Sequence, residues 1–155
     1  MIKSIPTVIF LALTGFSVSP LTFAQEPESL TVRDLAAQPQ TAKIFRQMVK
    51  RQNLPEWIMQ GGTHSPSQEV TIDGTRYTVT YACKPHDCAS ESIAVLYSPA
   101  SKIMSGVFSS VDSRDGSQTL RWMNIPDELS VDGRTVLFAA LTGSLENRPD
   151  SFSFK

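Results

Sequence analysis

The stretch QEVTIDGTRYTVTY at residues 68–81 decides the fold. Apolar and polar residues alternate on both sides of Asp73-Gly74, a dipeptide that favours the two-residue turn of a β-hairpin. We therefore predict two antiparallel strands, each with one side directed toward a core. The alternating apolar residues are Val70, Ile72, Tyr77, Val79 and Tyr81.

Three segments after the hairpin also have the composition of strands, at residues 92–97, 103–111 and 119–123. The connections between them are short, and short connections join antiparallel neighbours. The sequence thus predicts a meander of about five antiparallel strands.

Helices are predicted before the sheet. Residues 31–51 are expected to form two short helices separated by Pro39. Thr31 with Asp34 resembles a capping box for the first helix, and Thr41 is predicted to cap the second. A short helical segment after Pro55 is expected to end at Gly61-Gly62.

A helix is also predicted after the sheet. TVLFAAL at residues 135–141 fits either a buried strand or a helix that begins near Asp132-Gly133. We favour the helix because Ala and Leu are good helix formers. The predicted fold class is α+β, with the antiparallel sheet covered on one face by helices from the N- and C-terminal segments. The two phenylalanines of the tail, residues 146–155, are expected to dock on this body.

Residues 1–24 have the features of a secretory signal peptide. Lys3 precedes an uncharged apolar run over residues 5–16, and small residues flank the phenylalanine of TFA, which ends at Ala24. An uncleaved anchor is the alternative, although the run is short for a membrane span. Cleavage leaves residues 25–155 as one domain, which we expect to be periplasmic and free of the membrane.

The charge of the chain argues against nucleic acid as a partner. The sequence has 14 basic and 15 acidic residues, and loss of Lys3 with the signal peptide gives a formal net charge of −2. The basic residues do not form the clusters that phosphate contacts require. Trp57, Trp122 and Tyr81 are predicted to be core or sheet residues rather than a sugar platform, and His64 to be a surface residue in a loop.

The hexapeptide CKPHDC at residues 83–88 holds the only two cysteines. An exported protein is expected to pair them, and the Cys83–Cys88 disulfide closes a loop between the second and third predicted strands. The loop contains Lys84, Pro85, His86 and Asp87. Such a small ring adds roughly 2 kcal/mol of stability, so its larger effect is to restrict the loop before a partner binds.

Other chemistries for this loop fit less well. Zinc needs a fourth ligand and reduced sulfurs, and a thiol oxidoreductase favours C-x-x-C spacing. No G-x-S-x-G, H-E-x-x-H or phosphate-loop motif accompanies His86, so we predict no enzyme, metal or cofactor. From these residues alone, His86 fits an inert hairpin tip as well as it fits a binding group.

CKPHDC, together with LPEWIMQGGT at residues 54–63 and DGRTVLFAALTGSLENRPD at residues 132–150, resembles the inhibitor of vertebrate lysozyme (Ivy) family of Gram-negative bacteria. The resemblance extends over essentially the whole mature chain, and the hexapeptide is its most specific part. It implies an antiparallel sheet with flanking helices, as predicted above from the pattern.

The resemblance also implies a partner and a site. In this family the closed loop enters the active-site cleft of C-type lysozyme, where its histidine reaches the two catalytic carboxyl groups. Carried over, that histidine is His86, while Lys84 adds attraction near an acidic cleft and Asp87 orients the ring or meets basic residues of the rim. A second hypothesis is that the protein restrains endogenous lytic transglycosylases. A homodimer is a further implication of the family alone.

Overall fold

The computed structural model describes residues 29–155. The predicted signal peptide, residues 1–24, lies outside the described residues. No helix within residues 29–155 is long and apolar enough to cross a membrane.

The centre of the fold is an antiparallel sheet whose strands are β1 (Thr63–His64), β2 (Gln68–Ile72), β3 (Thr75–Cys83), β4 (Glu91–Ser98), β5 (Ile103–Val111) and β6 (Gln118–Met123). β3, β4, β5 and β6 follow one another across the sheet, and β1 and β2 both pair with β3. The five predicted strands are confirmed. β1 was not predicted, because two residues are too few to show an alternating pattern.

The predicted hairpin forms between β2 and β3. Val70 pairs with Tyr77 and Ile72 with Thr75. Asp73 and Gly74 between them have φ values of 47° and 73°. Positive φ at both central residues is the requirement of the type I′ turn, which Asp-Gly satisfies well.

The helices are α1 (Val32–Ala37), α2 (Ala42–Met48), α3 (Trp57–Gln60), α4 (Asp132–Leu141) and α5 (Ser144–Asn147), with 3₁₀ turns at Asp127–Leu129 and Pro149–Phe152. The Thr31 and Asp34 capping box is confirmed, and so is the helix over residues 135–141. Thr41 is the N-cap residue of α2, as predicted, but its side chain makes no capping bond, since its hydroxyl donates to the carbonyl of Gln38 at 3.4 Å.

The helices cover both faces of the sheet, so the prediction of one covered face was wrong. Along β4, Ile93, Val95 and Tyr97 belong to the cluster formed with α1, α2 and α3, whereas Ala94 and Leu96 belong to the cluster formed with α4. All five side chains are buried. A strand whose side chains are apolar on both faces needs a packed layer of structure on each side.

The C-terminal tail docks on the body, as predicted, and it does so at the edge of the sheet. Phe154 forms a bridge with Ile72, and its amide donates to the carbonyl of Thr71 at 2.8 Å. Its carbonyl accepts from the amide of Asp73 at 3.2 Å. The tail thereby occupies backbone groups of β2 that an open edge strand leaves unpaired.

Candidate functional site

The closed loop connects β3 to β4 and stands at one end of the sheet. β3 ends at Cys83, β4 begins at Glu91, and the Cys83–Cys88 disulfide joins Cα atoms 4.8 Å apart. Cys83 is buried, with 2% exposure, whereas Cys88 is exposed. The ring is therefore attached to the core on one side and projects from it on the other. Because both sulfurs are in the disulfide, neither is available as a thiolate ligand.

A tight turn forms the tip of the loop. The amide of Asp87 donates to the carbonyl of Lys84 at 3.0 Å, which places Pro85 and His86 at the two central positions. His86 has φ of 64°. Proline followed by positive φ is typical of a type II turn. This left-handed conformation costs a non-glycine residue about 1 kcal/mol, so the fixed φ of Pro85 and the ring closure help to hold it.

The two charged residues of the loop contact each other. The carboxylate of Asp87 accepts a hydrogen bond from the hydroxyl of Ser90 at 2.6 Å and lies 3.4 Å from the ammonium of Lys84. The bond from Ser90, followed by the contact with Lys84, lowers the pKa of Asp87. The local charge of the loop is balanced, and its carboxylate stays ionised at neutral pH.

His86 is the exposed residue at the centre of this turn. Within residues 29–155 its imidazole makes no hydrogen bond, and the carboxylate of Asp87 is engaged by Ser90 and Lys84 instead. Imidazole can donate and accept hydrogen bonds through its two nitrogens. The ring thus presents its nitrogens to solvent on a turn that backbone and side-chain bonds restrain.

Residues far away in the sequence support the base of the loop. The amide of Lys84 donates to the carbonyl of Glu91 at 3.0 Å, and the carboxylate of Glu91 accepts from the indole Nε1 of Trp57 at 2.7 Å. Gly62 packs between Trp57 and the loop, since a Cβ at Gly62 would overlap the carbonyl oxygen of Cys83 and lie 2.8 Å from Cζ3 of Trp57. Sequence reasoning missed this cluster, and its only signal was the adjacent pair Gly61-Gly62.

The remaining residues of interest lie away from the loop tip. Trp57 and Trp122 pack half-buried against opposite core clusters, and Arg134 lies 5.3 Å above the ring of Trp122. Their prediction as core or sheet residues is confirmed. His64 is an exposed surface residue as predicted, but it lies on β1 opposite Ala82 rather than in a loop.

A cleft of about 310 Å³ lies between the β2–β3 hairpin and the end of α4. Its wall includes Gln68, Tyr81, Leu141 and Glu146, and burial raises the pKa of Tyr81. This lining contains one carboxylate and no histidine or cysteine, so it lacks the paired acids that glycoside hydrolysis uses. Within residues 29–155 no three His, Cys, Asp or Glu side chains are grouped as metal ligands.

Comparison with known proteins matches the chain to one protein family. The sequence model of the family described as inhibitor of vertebrate lysozyme (Ivy) matches residues 40–142. The Escherichia coli K12 protein named inhibitor of vertebrate lysozyme is 48% identical over 155 residues, covering all of this chain and 94% of that protein.

Two more distant relatives extend the comparison. An uncharacterised protein of Yersinia pestis is 32% identical over 143 residues, covering 85% of this chain and 88% of its own length. A Pseudomonas aeruginosa protein, also named inhibitor of vertebrate lysozyme, is 28% identical over 97 residues, covering 61% of this chain and 63% of its own.

Proposed function

The chain belongs to the inhibitor of vertebrate lysozyme (Ivy) family, and we propose that it inhibits C-type lysozyme by inserting the Cys83–Cys88 loop into the active-site cleft of the enzyme. The observation that carries this proposal is the exposed imidazole of His86 on a turn closed by a disulfide and an internal hydrogen bond. The protein acts as a binding partner in this mechanism and uses no cofactor, metal or catalytic residue of its own.

The shape of the loop suits a cleft. It is a narrow projection from the end of two paired strands, and enzyme active sites are concave. Its turn already has a bond across it, from the amide of Asp87 to the carbonyl of Lys84, before any partner arrives. Less conformational entropy is then lost when the complex forms, which strengthens binding.

The chemistry of His86 suits the two carboxyl groups of lysozyme. The enzyme keeps one carboxyl protonated as general acid while the other is ionised. An imidazole placed between them donates to the ionised group and, according to its own protonation, accepts from or donates to the other. The bond from the imidazole to the ionised carboxylate is charge-assisted, and charge-assisted hydrogen bonds are stronger than neutral ones.

The charged residues beside His86 contribute to approach and fit. Lys84 and Asp87 lie 3.4 Å apart, so the attraction that Lys84 is expected to add near an acidic cleft is partly offset within the loop. With residues 1–24 removed as a signal peptide, the formal net charge of −2 favours the approach to a basic enzyme, an effect that salt weakens. Export to the periplasm also supplies the oxidising conditions that the disulfide requires.

A titration of C-type lysozyme with purified residues 25–155 tests the proposal. Lysis of a cell-wall suspension is expected to stop as the inhibitor approaches the enzyme concentration, and full lysozyme activity at micromolar inhibitor would overturn the proposal. A lytic transglycosylase assayed in parallel separates the second hypothesis: inhibition of that enzyme alone would assign the loop to endogenous cell-wall enzymes instead. Sedimentation of the same sample tests whether the protein forms a homodimer.

A further inference from the structure

The disulfide fixes the shape of the loop but leaves its direction relative to the sheet to other contacts. The ring closes residues 83–88 on themselves, and residues 89 and 90 connect it to β4. The ring is joined to the sheet by two stems, one at Cys83 and one at residues 89 and 90. It can pivot about these stems unless other contacts hold them. The direction of the tip therefore depends on what binds the chain at Lys84 and at Ser90 and Glu91.

Glu91 makes two hydrogen bonds at the base of the loop, one through its backbone and one through its side chain. Its backbone carbonyl accepts from the amide of Lys84 at 3.0 Å, and its carboxylate accepts from Nε1 of Trp57 at 2.7 Å. The carbonyl of the preceding residue, Ser90, accepts a hydrogen bond from the amide of Val111 at 2.8 Å, which connects the same stem to β5. Glu91 is thus the residue through which the first residue of the loop is connected to α3.

Trp57 cannot move away from this position easily. Its indole is half-buried against the core cluster of α1, α2 and α3, and a side chain at Gly62 would meet both that ring and the carbonyl of Cys83. Gly62 therefore allows α3 to approach the end of β3 closely. The bond between Trp57 and Glu91 is charge-assisted, the stronger kind of hydrogen bond.

We propose that Glu91 and Trp57 form a positioning clamp that sets the direction in which the loop projects, and that inhibition depends on this clamp as well as on the disulfide. This inference rests on the proposed function, because the clamp acts on the partner only through the loop. It also gives a role to LPEWIMQGGT at residues 54–63, which contains both Trp57 and Gly62.

Inhibition constants of three clamp variants test the role. Glu91→Ala removes the acceptor and Trp57→Phe removes the donor while keeping a ring, and both are expected to raise the inhibition constant about tenfold. Glu91→Gln keeps an acceptor oxygen and is expected to recover most of the loss. The matched control is Glu69→Ala, which removes a strand carboxylate that accepts from Thr78 at 2.6 Å, far from the loop end of β3.

Melting temperatures separate positioning from general stability. If Glu91→Ala and Glu69→Ala lower the melting temperature similarly and only Glu91→Ala weakens inhibition well below that temperature, the clamp acts on the loop. Unchanged inhibition by both Glu91→Ala and Trp57→Phe overturns the proposal. Equal weakening by Glu69→Ala also overturns it, because the effect is then one of stability.

Hydrogen exchange tests the clamp without lysozyme. The amide of Lys84 donates to the carbonyl of Glu91 and that of Val111 to the carbonyl of Ser90, and both amides are expected to exchange several-fold faster in Glu91→Ala than in the wild type or Glu69→Ala. If the wild type does not inhibit lysozyme, the proposed function fails and the exchange result alone decides the clamp. Unchanged exchange at both amides then overturns it.

Discussion

The hydroxyl of Ser90 donates to the carboxylate of Asp87 at 2.6 Å, and this bond is the largest cause of the lowered pKa of Asp87. The contact with the ammonium of Lys84 lowers the pKa further. A lowered folded-state pKa means that the stabilisation by the ionised carboxylate is fully present above the unfolded-state pKa. It is lost as the pH falls through the lower, folded-state value.

This relationship predicts how pH acts on Asp87→Asn. Between about pH 5 and 8 Asp87 stays ionised, so the variant is expected to raise the inhibition constant by one constant factor, about twofold to fivefold as for other exposed ion pairs. At pH values below the pKa of Asp87 both proteins carry a neutral group, and their melting temperatures are expected to converge. A ratio of inhibition constants that varies between about pH 5 and 8 contradicts this assignment.

His86→Ala is expected to weaken lysozyme inhibition by about 1–3 kcal/mol, the range for a lost charge-assisted hydrogen bond. His86 is exposed and makes no bond within residues 29–155, so the melting temperature is expected to stay unchanged. His64→Ala is the matched control, because it removes the other exposed histidine and leaves the loop intact. An inhibition constant unchanged in His86→Ala, or raised equally by both variants, removes His86 from the mechanism.

The parts of the fold that depend on local pattern were predictable. Asp73-Gly74 determines its own turn, and the alternation on either side sets which side chains of β2 and β3 share a face. The number of layers was not predictable in this way. The run from Ile93 to Tyr97 is apolar at every position, which shows that β4 is buried but not where the second helical layer comes from.

In the candidate site, too, the features set by neighbouring residues were predictable and those set by distant contacts were not. CKPHDC could be located and its ring anticipated, because the cysteines are neighbours in the sequence. The bond between Trp57 and Glu91 spans 34 positions and depends on how α3 meets the sheet. The contact of Asp87 with Ser90 was also missed, because the sequence does not show that the chain turns twice in succession, at Lys84–Asp87 and again at Asp87–Ser90.

Replacing both cysteines by alanine tests how the ring contributes. The free energy of unfolding is expected to fall by roughly 2 kcal/mol, since a small ring removes little entropy from the unfolded chain. The fold is expected to persist because neither core cluster includes Cys83 or Cys88, so the far-ultraviolet circular dichroism spectrum is expected to be unchanged. Inhibition is expected to weaken by more than this stability change explains, because the freed turn loses its preorganisation.

The control for the cysteine variant is the intact mass of the wild type, which is expected to show no free thiols. Wild-type inhibition that persists undiminished after reduction and alkylation, with both thiols modified, contradicts a role for the ring in binding.

The tail is expected to affect stability without affecting inhibition. Deleting residues 152–155 removes two half-buried phenylalanines and the bonds of Phe154 to Thr71 and Asp73, so the free energy of unfolding is expected to fall by about 2–3 kcal/mol. The freed edge of β2 is also expected to promote association, visible by light scattering at increasing protein concentration. Deletion of Lys155 alone is the control, because that residue is exposed at the end of the chain and lies outside the bridge to Ile72.

The inhibition constant of the tail deletion, measured where the protein is fully folded, is expected to equal that of the wild type. Phe154 lies beside Ile72, which pairs with Thr75 at the start of β3, whereas the loop begins at the other end of that strand. The nine residues of β3 separate the two ends by about 25 Å of extended chain. A weakened inhibition by the folded deletion variant shows instead that the lysozyme contact extends to the turn end of the sheet.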